Sequence, residues 1–474
     1  MQQRSVATNE DARRGAEGAT YSGSTPPRPS SHDESALHHA RAAIEILFGP
    51  AGERSIEVQY WDRSIERARP ATPAYRLCIN RRGALRRMLL PPSELSIVEA
   101  YISGDVDVDG SLEAAMGLPE ELNSRLRSPR ALAALVRHLV ALPAHEALAP
   151  AVHDARSDRV VQPAGRRHEP ERDRAAIHYH YDVGNDFYSL WLDERMVYSC
   201  AYFRSPSDTL DEAQRAKLDL VCRKLRLKPG DRLLDVGCGW GALIMHAAQH
   251  YGVIALGITL SENQAELARA RITAAGLRDR CRVELRDYRA LPPEAQFDKI
   301  SSIGMVEHVG VDHLPEYFGA LHRVLAPGGL LLNHGIVSVN AARPPSRFDW
   351  IERRLWKRDA FIDQYVFPDG KLGPLAAVIA AAERSGFETR DVESLREHYA
   401  LTLRAWVSRL LQRRDRALQL VDERVFRIWR LYMTASAHAF TTGSINVVQT
   451  LLAKPDASGK VALPLTRNDV LNGL

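Results

Sequence analysis

The residues best suited to chemistry by type and spacing lie in Leu233–Gly241, LLDVGCGWG. An apolar run (Leu233, Leu234, Val236) predicts a buried strand, and glycine then stands at every second position, Gly237, Gly239 and Gly241, before an alanine- and leucine-rich helical stretch. Glycine permits positive φ and lets a ligand approach the main chain, while the first N–H groups of the new helix face whatever sits there. A nucleotide-like ligand is therefore expected. GCGWGA at 237–242 also satisfies the loose dinucleotide pattern G-x-G-x-x-[GA], so the glycines alone leave a nicotinamide site and a mere packing turn open.

The elements that must position this turn follow an alternating pattern. Strands are predicted near Arg232–Val236, Val253–Ile258, Arg282–Leu285, Lys299–Ile303 and Leu330–His334, with helices near 242–250, 262–275 and 314–325. Pro327-Gly328-Gly329 reads as the turn into the fifth strand. This is the pattern of an α/β fold with a doubly wound sheet, which binds ligands at the carboxyl ends of its strands, where Gly237, Thr259, Asp287 and Glu307 fall. A long insertion at about 337–375 is a candidate lid. Helices near 374–385 and 398–437 follow, and Ser444–Leu452 alternates like a last, antiparallel edge strand.

Upstream, residues 1–35 have almost nothing to bury and read as a disordered tail. Residues 36–148 read as a separate small α+β domain and 149–175 as a charged linker, leaving 176–474 for the catalytic domain. Asp105-Val-Asp107-Val-Asp109-Gly110 imitates a calcium loop, but Met116 occupies the position of the bidentate glutamate, so calcium is rejected. Residues 178–203, HYHYDVGNDFYSLWLDERMVYSCAYF, concentrate aromatic and small polar side chains beyond what a packing helix needs.

With 474 residues and 45% hydrophobic content the chain can build two or three cores. A net charge of +4 makes no case for nucleic acid. Five scattered cysteines without a C-x-x-C pair read as reduced thiols in a cytoplasmic setting, with no metal site. No apolar run approaches the roughly 18 residues of a membrane span. A peripheral protein is expected.

Asp235 completes D-x-G-x-G-x-G, which resembles motif I of class I S-adenosylmethionine-dependent methyltransferases, a Rossmann-like fold. YSCAYF at 198–203, GCGWG at 237–241, TLSENQ at 259–264, GMVEHVG at 304–310, HGI at 334–336, FIDQYVFPDG at 361–370 and HYALTLRAW at 398–406 together resemble the cyclopropane fatty acid synthases and cyclopropane mycolic acid synthases. EAYISGDVDVDG at 99–110 is similar to the lipid-binding N-terminal domain of the phospholipid-acting branch.

That resemblance implies methylene transfer from S-adenosylmethionine to the cis double bond of unsaturated phospholipid acyl chains at the inner membrane surface, with bound bicarbonate as the base. It implies that Cys200 and Ile336 (through their backbones), Glu307, His334 and Tyr399 hold the anion. Tyr198, Ser199, Asp235, Gly237, Gly239, Gly241, Thr259, Gln264, Asp287, Tyr288 and Ile303 would hold the cofactor. The chemistry is demanding on its own terms, because an isolated alkene is a weak nucleophile and water would quench the cation it forms. Arg353, Arg354, Lys357 and Arg358 around Trp356, with Arg404, Arg409, Arg413 and Arg414, suit an anionic lipid surface. A homodimer is left open, as is a product with a methyl or methylene branch. A small-molecule O- or N-methyltransferase would not need so large an aromatic segment, and the intact acids and histidine argue against a non-catalytic lipid carrier.

Overall fold

The computed structural model describes residues 31–117, 128–144, 183–294, 296–339, 360–366 and 372–471. The expected linker, residues 1–30 of the expected tail, residues 178–182 of the aromatic segment, most of the expected lid, and the Arg353–Arg358 cluster lie outside these.

The amino-terminal part begins with a helix at Ser31–Phe48, several residues inside the stretch read as a tail. Four short strands follow: β1 (Glu57–Gln59), β2 (Ile65–Glu66), β3 (Tyr75–Ile79) and β4 (Val106–Gly110), in the order β2-β1-β3-β4. β3 buries Tyr75, Leu77 and Ile79 at alternate positions, the period-2 signature of a strand with one covered face. The acids that imitate a calcium loop run into β4, where the alternation puts Val106 and Val108 in the core and leaves Asp107 and Asp109 for the other face.

The large sheet has seven strands in the order β10-β11-β9-β8-β5-β6-β7. They are β5 (Arg232–Val236), β6 (Ile254–Thr259), β7 (Cys281–Leu285), β8 (Phe297–Ile303), β9 (Leu325–Ser338), β10 (Glu388–Ser394) and β11 (Ile445–Ala453). β5 is parallel to both β6 and β8, and β11 is antiparallel to both β9 and β10. The chain winds outward from β5 through β6 to β7 and returns to β8 on the other side. The topological switch point, where such sheets bind ligands, is therefore between β5 and β8.

Three expectations need correction. Ser444–Leu452 is not the edge strand: β11 lies between β9 and β10, and the edge is β10, unforeseen because its sequence ETRDVES is polar. Pro327-Gly328-Gly329 is not a turn before a strand but an irregularity within β9, where the register with β8 shifts between Phe297 and Lys299 and Gly328 adopts a φ of 77°. The helix expected over 398–437 is three helices, Arg396–Gln412, Arg414–Leu420 and Glu423–Thr442, the last starting at an Asp422 side chain that caps Val425.

The amino-terminal part packs against the large-sheet part. Its buried residues, among them Tyr101, Val106 and Ala115, belong to one hydrophobic cluster with Phe187, Trp191, Trp406 and Trp429 of the catalytic part. Arg404 binds Glu113 at 2.6 Å, and Arg427 binds Asp107 at 2.6 Å and the Tyr101 carbonyl at 3.0 Å.

Candidate active site

The glycine turn forms as expected, with φ of 77° at Gly237, 53° at Gly239 and 82° at Gly241. A Cβ on Gly237 would stand 2.7 Å from Met305 Sδ, whereas one on Gly239 would meet nothing within 4 Å, so the turn is closed on the sheet side and open beyond it. The amides of Gly237 and Cys238 are not free for a ligand: both donate to the Ile258 carbonyl at 3.0 Å. At the end of β5 the buried Asp235 accepts a hydrogen bond from Ser301 Oγ at 2.7 Å, and burial pushes its carboxyl up to about 6. Trp240 Nε1 donates to Asn185 Oδ1 at 2.8 Å, which ties the aromatic segment to the turn.

On the neighbouring strands the sequence brings two further polar side chains inward. His334 is paired in register with Ile303 of β8, and Ile336, two residues on, shares its face. Gly335 between them lets the short helix Val306–Val309 lie directly on β9; a Cβ there would come within 2.1 Å of Val306 Cγ2. That close approach delivers Glu307, whose Oε1 accepts the Ile336 N–H at 2.7 Å. The Ile336 amide, expected on the anion, thus orients the acid. Glu307 Oε2 and His334 Nε2 are both buried and, among the described residues, have no hydrogen-bond partner. Burial lifts the Glu307 carboxyl to about 7. Burial, assisted by the charges of Lys217 and Lys224, pushes His334 down to about 3, so the ring is neutral at physiological pH.

Cys200 and Tyr399 reach the same neighbourhood through the backbone. Ile336 pairs with Val447, whose carbonyl accepts the Leu395 N–H at 2.9 Å, and the Leu395 carbonyl receives Cys200 Sγ at 3.7 Å and the Tyr399 N–H at 3.0 Å. Thr402 closes the arrangement, taking the Ala201 N–H at 3.0 Å while donating to the His398 carbonyl at 2.7 Å. Complete burial pushes the Cys200 thiol far above its ordinary value, so it stays protonated and is no nucleophile. The Tyr399 ring lies against Phe440, 4.7 Å between centroids.

The remaining residues expected at the cofactor divide into two groups. Tyr198 is set among Tyr188, Trp191, Trp406 and Trp429, with centroids 5.3 to 6.2 Å away, and Ser199 accepts from Lys217 Nζ at 3.0 Å. Thr259 Oγ1 donates to Gln264 Oε1 at 2.8 Å, with both side chains buried. Asp287 by contrast is held by Arg289, at 2.9 Å from Nε and 2.7 Å from a terminal nitrogen, and Tyr288 packs edge-on against Tyr317. Ile303, at the end of β8, is half-buried.

Sequence reasoning missed Lys217, a fully buried lysine whose ammonium burial pulls down to about 8, and it missed Ser301 and Gln449. Each has polar neighbours in the chain, Arg215 and Asp219 beside Lys217, Ser302 beside Ser301 and Thr450 beside Gln449, so no local signal marked them. The arginines expected at a lipid surface are occupied: Arg404 by Glu113, Arg409 by Asp211 and the Leu192 carbonyl, Arg413 by the Leu190 carbonyl and Arg414 by Glu423. They brace the structure.

A switch point at a glycine turn, an acid closing the first strand and an antiparallel β11 beside the edge define a class I S-adenosylmethionine-dependent methyltransferase. Residues 168–450 match the family described as "Mycolic acid cyclopropane synthetase", and 44–119 match a "Domain of unknown function". The chain belongs to the mycolic acid cyclopropane synthetase family. It is 42% identical to a "Probable fatty acid methyltransferase" of Pseudomonas putida over 81% of this chain and 88% of that protein. It is 37% identical to the "Cyclopropane-fatty-acyl-phospholipid synthase" of Escherichia coli over 59% and 68%. Among solved structures, the mycolic acid cyclopropane synthase CmaA1 complexed with SAH and CTAB superposes with a TM-score of 0.56 at 36% identity, covering 59% of this chain and 98% of that one.

Proposed function

We propose that the protein transfers a methylene group from S-adenosylmethionine to the cis double bond of an acyl chain carried by a phospholipid, with bicarbonate held beside Glu307 and His334. The observation that carries this reading is a pair of buried polar atoms that have no partner among the described residues, His334 Nε2 on β9 and Glu307 Oε2 on the short helix packed against β9, near the glycine turn. Buried polar atoms in native proteins are nearly always satisfied, so two bare ones on adjoining elements mark a place for a small polar guest. A planar oxyanion that can both donate and accept fits them. When bound, bicarbonate supplies a base for the proton that must leave the new methyl group before a ring can close.

The chain's own groups do the rest. Glu307, with Oε1 fixed by the Ile336 amide and a carboxyl titrating near 7, can hold or release a proton at Oε2. His334 is neutral and can offer a hydrogen bond without carrying charge. Tyr399 and the Cys200 backbone complete the holders. Asp235 with the glycine turn, Ser199 backed by Lys217, Tyr198, the Thr259–Gln264 pair, Tyr288 and Ile303 receive the cofactor, with Asp287 joining them once it yields its Arg289 contact. The packed aromatic cluster excludes water from the olefin.

A phospholipid substrate requires contact with a membrane, and the support for that comes from an unforeseen place. Helix Pro129–Ala141 leaves Leu132, Val136 and Val140 exposed at successive four-residue steps, flanked by Arg130 and Arg137 and with no acidic residue. An apolar stripe with basic flanks suits an anionic surface, and vesicle flotation tests it. No described helix is long and apolar enough to cross a membrane.

A second reading keeps the first chemical step and ends in a methyl or methylene branch. Two relatives that match 81% and 90% of this chain favour it, since both carry the name of probable fatty acid methyltransferases. Lipids from a host expressing the protein decide between them. A mass gain of one CH₂ with upfield ring protons in the NMR spectrum supports the cyclopropane, and vinylidene or methyl-branch signals overturn it.

A further inference from the structure

Behind His334 runs a line of buried polar side chains drawn from three distant parts of the sequence. His334 Nδ1 lies 3.2 Å from Gln449 Nε2, on the register partner of His334 in β11. Gln449 Oε1 lies 2.8 Å from Lys224 Nζ, which also binds the Glu393 carboxylate at the start of the line. Gln449 is wholly buried and Lys224 is 3% exposed. None of these three belongs to the set of residues that the proposed reading places on cofactor or anion.

We infer that Lys224 and Gln449 are positioning residues that lock His334 in the tautomer carrying its proton on Nε2, so that a hydrogen-bond donor faces the guest. The argument is one of donor and acceptor inventory. A lysine ammonium has only hydrogens to offer, so the Gln449 atom facing it must be the carbonyl oxygen. The amide orientation, ordinarily ambiguous, is therefore fixed, and the Gln449 NH₂ must face the histidine. That NH₂ is in turn a donor only, so Nδ1 must accept and carries no proton. A neutral imidazole then has its hydrogen on Nε2, the buried atom that lacks a partner among the described residues. Glu393 holds Lys224 in place from the far side and balances its charge. The line ends with a fixed dipole, not a charge, aimed at the guest. Without it a neutral ring could present Nε2 as a bare lone pair, which would repel an anion.

The inference takes from the proposed function only what the donor is for; the tautomer itself is measured without substrate, cofactor or bicarbonate. The experiment is long-range ¹H–¹⁵N NMR of the full chain labelled with ¹⁵N-histidine. The His334 signals are identified among the 17 histidines by their loss in His334→Gln. A neutral ring protonated on Nε2, unchanged between about pH 6 and about pH 9, is expected. A ring protonated on Nδ1 in the unmodified protein overturns the inference outright.

The isosteric Gln449→Glu places an acceptor against Nδ1 and should move the proton there. It should lower turnover by about 10- to 100-fold, the usual cost of losing an orienting partner, with SAH affinity within about twofold of the original. Lys224→Met should give a mixture of tautomers and Lys224→Arg should restore the single one. An unaltered tautomer in Gln449→Glu also sinks the proposal. A branched or absent lipid product with the Nε2–H tautomer intact would refute the proposed function and leave this inference standing, whereas a cyclopropane product with an Nδ1–H ring would do the reverse.

Discussion

Two regions of this molecule bury acidic side chains, and they treat them in opposite ways. In the amino-terminal part, buried Asp105 is met by two guanidinium groups, Arg81 at 3.0 Å and Arg87 at 2.8 Å. Half-buried Asp107 on β4 is met by Arg427 at 2.6 Å, and buried Glu57 by Arg76 at 2.8 Å and Arg67 at 3.2 Å. At the carboxyl end of the large sheet, Glu307 has one backbone amide and Asp235 one serine hydroxyl, with no cation in hydrogen-bonding contact with either among the described residues. The residue types are the same. Where every carboxylate is answered by arginine the group fixes geometry, and where burial is left uncompensated the group is held near the pH at which it exchanges a proton.

If that contrast is real, substitution in the two regions must affect different quantities. Glu307→Gln or His334→Gln should lower turnover by at least 10²-fold, as expected for lost proton transfer, while SAH binding measured by calorimetry stays within a few-fold. Turnover close to the original in both variants would erase the distinction on the sheet side.

The uncompensated burial also has a sign in stability. The Glu307 carboxyl titrates at about 7 in the folded protein against an ordinary 4.5, so the folded state binds the proton more tightly than the unfolded one across that interval. The stability given by the neutral acid is complete below pH 4.5 and is lost as pH rises through about 7. Glu307→Gln, which cannot ionise, should therefore gain on the original protein by roughly 2 kcal/mol between about pH 5 and about pH 8 in urea unfolding. A gap that does not widen with pH would mean that Glu307 ionises freely in the fold. On the amino-terminal side, Asp107→Ala should cost about 1 kcal/mol of stability, since it strips the partly buried Arg427 of a partner, and should leave kcat unchanged.

The same contrast explains what could be read in the chain beforehand. The strand ends and the glycine turn were legible because hydrophobic runs and glycine spacing are local signals, and so Asp235, Glu307 and His334 could be placed at one end of one sheet. The arginine partners were not legible. Arg427 stands 320 positions from Asp107, and Lys224 stands 225 positions from Gln449, distances over which only the folded topology decides contact. Arg404, Arg409, Arg413 and Arg414 were read as a lipid-facing patch for that reason. β10 escaped because a polar edge strand lacks the apolar alternation that announces a strand. The break between the helices at Arg413 escaped because neither glycine nor proline marks it.

The smallest effect tests the sheet side from within. Cys200 stands inside the proposed anion site, yet its Sγ donates to the Ala201 and Leu395 carbonyls, at 3.2 and 3.7 Å, and burial keeps it protonated. A weak S–H donor to carbonyls contributes little orientation, and a protonated thiol offers neither nucleophile nor base. Whatever Cys200 gives the site must come from its backbone, which a side-chain substitution leaves in place. Cys200→Ala should therefore change kcat by less than about threefold, in contrast to the 10²-fold loss for the acid and the imidazole. A loss of that larger size in a variant whose circular dichroism and SAH affinity match the original would bring the thiol into the chemistry. It would also show that burial alone is a poor guide to which groups at this strand end react.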